Sequence, residues 1–181
     1  AHCLAYHTTT SLTPAEVHAE GLAQVARIEG RYQTDVLDAL GFAGDFGAFV
    51  DAAQGDPAHC FGTVPELLAG YRALTARIEA ELPKWFERIP PARLEVVEKN
   101  SATAPAAYYM QGTADGARPG RFYVNVSNLD KRPKYEMCAL ALHEGIPGHH
   151  LQGSLAIENA ALPSFLRFLE DRRYEFCPAR R

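Results

Sequence analysis

Apolar and polar positions recur along this chain with two different periods, and the change of period divides it into three stretches. Leu22, Val25, Ile28, Tyr32, Val36 and Leu40 follow one another at three or four residues, which predicts a long helix with one buried face. Thr13-Pro14-Ala15-Glu16 supplies its start, with threonine as the cap, proline in the first turn and glutamate placed to complete a capping box. Gly41 supplies its stop. His18 lies on this helix and reads as a surface or hydrogen-bonded structural histidine. Asp45 to Ala53 predicts a short second helix closed by Gly55-Asp56-Pro57. The cap chemistry returns at Thr63-Val64-Pro65-Glu66, ahead of a third helix with apolar positions Leu67, Leu68, Tyr71, Leu74, Ile78 and Leu82. Trp85 and Phe86, just before Pro90-Pro91, are expected as core anchors.

The period then shortens to two. Leu94 to Glu98, Ala106 to Gln111 and Arg121 to Ser127 read as strands. In the third, Phe122, Val124 and Val126 alternate with Tyr123, Asn125 and Ser127, giving an apolar and a polar face. Gly112 to Gly120 is dense in turn residues and reads as a long hairpin loop, so a small antiparallel sheet is expected. Helical patterning resumes at Pro133, returns from about Gly148 to Asn159, and opens once more at Pro163 through Phe165, Phe168, Leu169 and Tyr174. The fold class is α+β, mainly helical: helices over 1–91, a sheet over 94–127 and helices over 133–176, in a single domain or part-domain.

Composition narrows the classes. With 47% hydrophobic and 22% charged residues the chain is globular rather than disordered. Its net charge of -4 and scattered Lys and Arg exclude a nucleic-acid stripe. No apolar run approaches the roughly 18 residues of a membrane span. Cys3, Cys60, Cys138 and Cys177 are dispersed without a C-x-x-C pair, which argues against clustered-thiolate zinc and a disulfide scaffold and for buried or free thiols. The chain starts at Ala1 without Met or a signal-peptide pattern and ends in a basic tail, so an internal fragment is expected. Neither compartment nor oligomeric state is encoded in any motif.

The chemistry concentrates in Ala141-Leu-His-Glu-Gly-Ile-Pro-Gly-His-His-Leu-Gln152. In H-E-x-x-H zinc hydrolases two histidines one turn apart hold the metal, and the glutamate serves as base. Here the position four after His143 is Pro147, which cannot bind metal. On an unbroken helix, at about 100° and 1.5 Å per residue, His149 points off the face of His143 and His150 lies roughly two turns away. Pro147 removes a backbone donor and Gly148 frees the backbone, so a bulge or break there can swing His149 back toward His143. The alternatives are Glu144 as a surface carboxylate and His150 as a structural residue. A third ligand is also needed, and Glu158, Glu170 and Glu175 are the downstream candidates, none distinguished by its setting.

His143-Glu-Gly-Ile-Pro-Gly-His-His-Leu-Gln152 resembles the H-E-x-x-P-G-H-x-x-Q signature of the domain of unknown function 885 family, zincin-like metallopeptidases. Tyr6 to Thr10 with Leu12 to Glu16, Ala104 to Tyr109, Asp115 to Gly120 leading into Phe122 to Asn125, and Arg132 to Glu136 carry the resemblance over nearly the whole chain. It implies a zincin-like fold, a Zn2+ cofactor held by His143 and His149, and Glu144 as general base. His150 matches a more variable position and is implied to stand behind the ligands. The strand Phe122 to Val126 is similar to the zincin edge strand that pairs with an extended peptide, which makes Tyr108, Tyr109, Asn125 and His150 candidate substrate-binding residues. The family's third ligand is expected in a Glu-Gly-Trp-Ala-type stretch. The sole tryptophan here is Trp85, so that ligand is expected outside the chain. The implied activity is zinc-dependent hydrolysis of a peptide or small amide; the alternative is a non-catalytic helical binding module or degenerate metal site.

Overall fold

A computed structural model describes residues 2–168. Leu169, Glu170, Tyr174, Glu175 and Cys177 lie outside the described residues. The chain divides into two compact units, one containing Ala1–Gly55 and the other Asp56–Glu170.

The first unit holds α1 (His2–Thr8), α2 (Pro14–Tyr32) and α3 (Phe46–Gly55). The capping box of α2 forms as expected: Glu16 N–H donates to the Thr13 hydroxyl at 3.3 Å, and Thr13 N–H to the Glu16 carboxylate at 2.7 Å. The helix runs on as a π-helical turn over Gln33–Asp38, and Gly41 ends it at φ +64°. The expected buried face is absent: Leu22, Val25, Ile28 and Leu40 are exposed, and no residue of α2 is buried. Periodicity specifies a stripe, but burial requires an element to cover it. Tyr32, Phe42, Phe46 and Phe49 form an edge-to-face aromatic cluster between the end of α2 and α3, with centroids 4.5 to 5.9 Å apart.

The second unit is organised on a three-stranded sheet of order β1-β3-β2, with β1 (Leu94–Lys99), β2 (Ala107–Met110) and β3 (Gly120–Asn125). The β2–β3 hairpin is antiparallel across its long loop, but β1 and β3 are parallel, so the sheet is mixed rather than antiparallel. The physical reason is burial. Phe122 at 0% and Val124 at 1% exposure on one face, with Asn125 at 1% on the other, place β3 in the centre with a neighbour on each side. It is therefore not the expected edge strand.

Helix α4 (Val64–Glu81), capped by Thr63 and Glu66, buries Leu67, Leu68 and Tyr71 against Val96, Ala107, Phe122, Val124 and Val126. Tyr71 meets Phe122 edge-to-face at 5.3 Å. Each large apolar side chain so buried contributes about 1.5–3 kcal/mol. After α4 a 3-10 turn buries Leu82 and turns Trp85 outward, 78% exposed, so Trp85 is no core anchor; Phe86 is exposed as well. Beyond the sheet come short 3-10 turns, α5 (Met137–Leu140), a π-helical turn over Ala141–Gly145, α6 (Gly148–Glu158) and α7 (Ser164–Arg167). Among the described residues no helix is long and apolar enough to cross a membrane.

Candidate metal centre

The π-helical turn and the break after it build the site. Ala141, Gly145 and Ile146 face inward and are buried, and a Cβ on Gly145 would sit 3.4 Å from the Phe122 ring. This seats the turn on the core face of the sheet and leaves His143 exposed. Ile146 is extended (φ -125°, ψ 135°), the Ile146–Pro147 peptide is cis, and helix resumes at Gly148. There the backbones come very close. A Cβ at Gly148 would fall onto the carbonyl oxygen of His143 and 2.5 Å from that of Leu142, so only glycine fits.

The break re-aims His149. Its ring stands edge-to-face to that of His143, with centroids 5.0 Å apart, and its Nε2 is 3.7 Å from Glu144 Oε2. One ligand atom from each of His143, Glu144 and His149 lies within 4.8 Å of the others. Gln152 Oε1 lies 3.1 Å from His149 Nδ1. An amide oxygen only accepts, so Nδ1 carries the proton and the Nε2 lone pair is left toward Glu144. Sequence reasoning gave Gln152 no role, although its spacing of three from His149 on a helix was the available signal.

Two of these groups fit zinc as ligands, the His143 and His149 imidazoles, the latter with its other nitrogen bonded, and the Glu144 carboxylate stands beside them. With Zn–N near 2.0–2.1 Å, two nitrogens on one ion stand at most about 4.2 Å apart, which side-chain rotation reaches from the spacing seen here. Among the described residues no further carboxylate joins the cluster. Glu158 is not in it, and its Oε2 instead pairs with Arg88 at 2.9 Å.

The expected substrate residues scatter. Tyr109 stacks toward His149 at 6.4 Å, and its hydroxyl meets His150 Nδ1 at 3.1 Å. Burial pushes the Tyr109 phenol up to about 12, with the Gly112 amide and the Arg118 charge pulling the other way. His150 is buried, and its Nε2 lies 3.0 Å from the Ala92 carbonyl, so Nε2 donates. Burial holds its pKa down, which favours the neutral ring and leaves Nδ1 to accept from Tyr109. Tyr108 lies on the opposite face of the sheet, stacked on Tyr123 at 4.8 Å. Asn125 is a staple: its amide donates to Ser101 O at 2.8 Å and Ala104 O at 2.9 Å, and its oxygen accepts from Ser127. Of the four, only Tyr109 and His150 adjoin the cluster.

The family model for bacterial proteins of unknown function designated DUF885 matches residues 1–174. The chain belongs to that family. A crystal structure of a protein from Colwellia psychrerythraea, described as a putative lipoprotein, is similar to this DUF885 chain at 28% identity and a TM-score of 0.80. The match covers 88% of this chain and 28% of that one. No curated protein matches the DUF885 chain.

Proposed function

We propose that the centre at His143, Glu144 and His149 belongs to a zinc-dependent hydrolase of peptide bonds with a zincin-like fold. The observation that carries this reading is the convergence of those three side chains, two of them separated by a helix break, within 4.8 Å. His143 and His149 hold the metal. Zinc, when bound, supplies Lewis acidity that polarises a carbonyl and acidifies water. Glu144 handles the proton: its carboxylate accepts one from water beside the scissile carbonyl as the oxygen adds to carbon. It returns that proton to the nitrogen as the C–N bond breaks and the amine departs. Gln152 keeps His149 in the tautomer that leaves Nε2 free. An extended peptide finds strand-pairing groups on the outer edge of β2 rather than on β3, whose edges are both taken.

A second reading is a metal site without turnover, favoured by the absence of a third ligand among the described residues. Two measurements separate the readings. Stoichiometric zinc that disappears in His143→Ala and His149→Ala supports the metal centre. Peptide hydrolysis by the full-length parent that is lost in Glu144→Gln, with zinc retained, supports catalysis. Undiminished hydrolysis in Glu144→Gln would remove the mechanism.

A further inference from the structure

The second unit holds an open pocket of about 280 Å3, lined in part by Tyr109 and His150. That is near the lower end of the roughly 300–1,000 Å3 of small-molecule sites. Its lining includes four charged side chains, Arg93, Arg118, Asp115 and Glu158. Both acids are engaged elsewhere. Asp115 caps its own loop, its carboxylate held below the usual range by the Thr113 side chain and the Ala117 N–H, the latter at 3.0 Å. Glu158 pairs with Arg88. Neither Arg93 nor Arg118 makes an ion pair among the described residues. The pocket thus carries two arginines outside any ion pair among the described residues, and a guanidinium is the side chain best suited to bidentate binding of a carboxylate.

The wall is built rather than incidental. His150 is fixed at both ring nitrogens, by Tyr109 and by the Ala92 carbonyl, and Gly120 leaves room for the pair. A Cβ at Gly120 would lie 2.6 Å from His150 Nδ1 and on the Tyr109 hydroxyl. The half-buried Tyr109 ring is shared, since it lines the pocket and lies 6.4 Å from the His149 ring.

We propose that this pocket binds the terminal carboxylate of a short peptide through Arg93 and Arg118, so that the neighbouring centre meets its substrate near a free C-terminus. The substrate class rests on the metallopeptidase reading above; the carboxylate subsite can be measured without it. The experiment is calorimetric binding of N-acetyl-alanyl-alanine and of its C-terminal amide to the full chain, zinc-loaded and chelator-stripped. The stripped protein offers the carboxylate no metal to coordinate.

The acid binds at least about tenfold more tightly than the amide in both states, because the arginine contacts are charge-assisted. That preference disappears in the double variant Arg93→Gln, Arg118→Gln and persists in Arg27→Gln on α2. Equal binding of acid and amide to the stripped protein would overturn the subsite, as would a preference that survives the double variant. Inorganic phosphate that competes as well as the acid itself would overturn the assignment to carboxylate. A carboxylate preference without hydrolysis by the parent supports the subsite and counts against the hydrolase reading instead.

Discussion

The two sides of α6 share one backbone and part company in chemistry. His149 and Gln152, three residues apart, face the open cluster with His143 and Glu144. His150 and Ser154, four apart, are buried on the side that walls the arginine-lined pocket. Successive helical residues differ by about 100° in direction, so adjacent histidines need not serve one site. What separates them is the company each keeps. His149 keeps a free nitrogen near a carboxylate, whereas His150 has both nitrogens bonded. A paired histidine in sequence is therefore two independent hypotheses.

The comparison breaks most directly at the histidines themselves. Outer-shell partners of a metal are worth about 10–100-fold in affinity, so loss of a ligand in His149→Ala is expected to weaken zinc binding by more than about 100-fold. His150→Ala is expected to retain zinc within a few-fold and instead to lower stability by about 1–3 kcal/mol, since the Ala92 carbonyl and Tyr109 hydroxyl lose their partner. Competition with a chelator and urea denaturation read the two effects separately. A folded His150→Ala protein that has lost its zinc would erase the distinction between the two sides.

The next effect reaches the metal side through the backbone. Gly148→Ala is expected to cost about 1–3 kcal/mol by overpacking and to weaken zinc binding, because relief of the clash with the His143 carbonyl must shift His149. Gly30→Ala on α2, where a new Cβ meets nothing within 4 Å, is expected to stabilise by up to about 1 kcal/mol. Chemical denaturation of both variants tests the pair, and equal effects would show that the close approach at Gly148 is unimportant. Gln152→Ala is smaller again, about 10–100-fold in zinc affinity with stability nearly unchanged, measured by the same chelator competition.

The sequence made the helix starts, the hairpin and the break at Pro147-Gly148 legible, because caps, turn residues and proline act within a few positions. It also pointed to His143, Glu144 and His149 together. What it could not supply is anything set by partners distant in the chain. The stripe Leu22, Val25, Ile28 has the right period and finds no cover among the described residues, and β3 alternates like a half-buried strand yet lies central because β1 joins it in parallel. Asn125, expected near substrate, is consumed by the loop carbonyls of Ser101 and Ala104. Trp85 is apolar in composition and exposed in fact. The third ligand candidates Glu170 and Glu175 lie beyond the described residues.

The smallest test concerns two neighbouring tyrosines that the sequence treats alike. Tyr108 and Tyr109 are consecutive in β2, and strand geometry sends them to opposite faces. Tyr109 donates its hydroxyl proton to a buried histidine, while Tyr108 stacks its ring on Tyr123. Phenylalanine keeps the ring and removes only the hydroxyl, so Tyr109→Phe is expected to cost about 0.5–1.5 kcal/mol, the net worth of one hydrogen bond. Tyr108→Phe keeps the stacking and is expected within about 0.5 kcal/mol of wild type. Because the Tyr109 bond also holds His150 in the wall of the arginine pocket, Tyr109→Phe should weaken N-acetyl-alanyl-alanine binding while zinc affinity stays within a few-fold. Loss of zinc without loss of that binding would instead assign Tyr109 to the open side of α6.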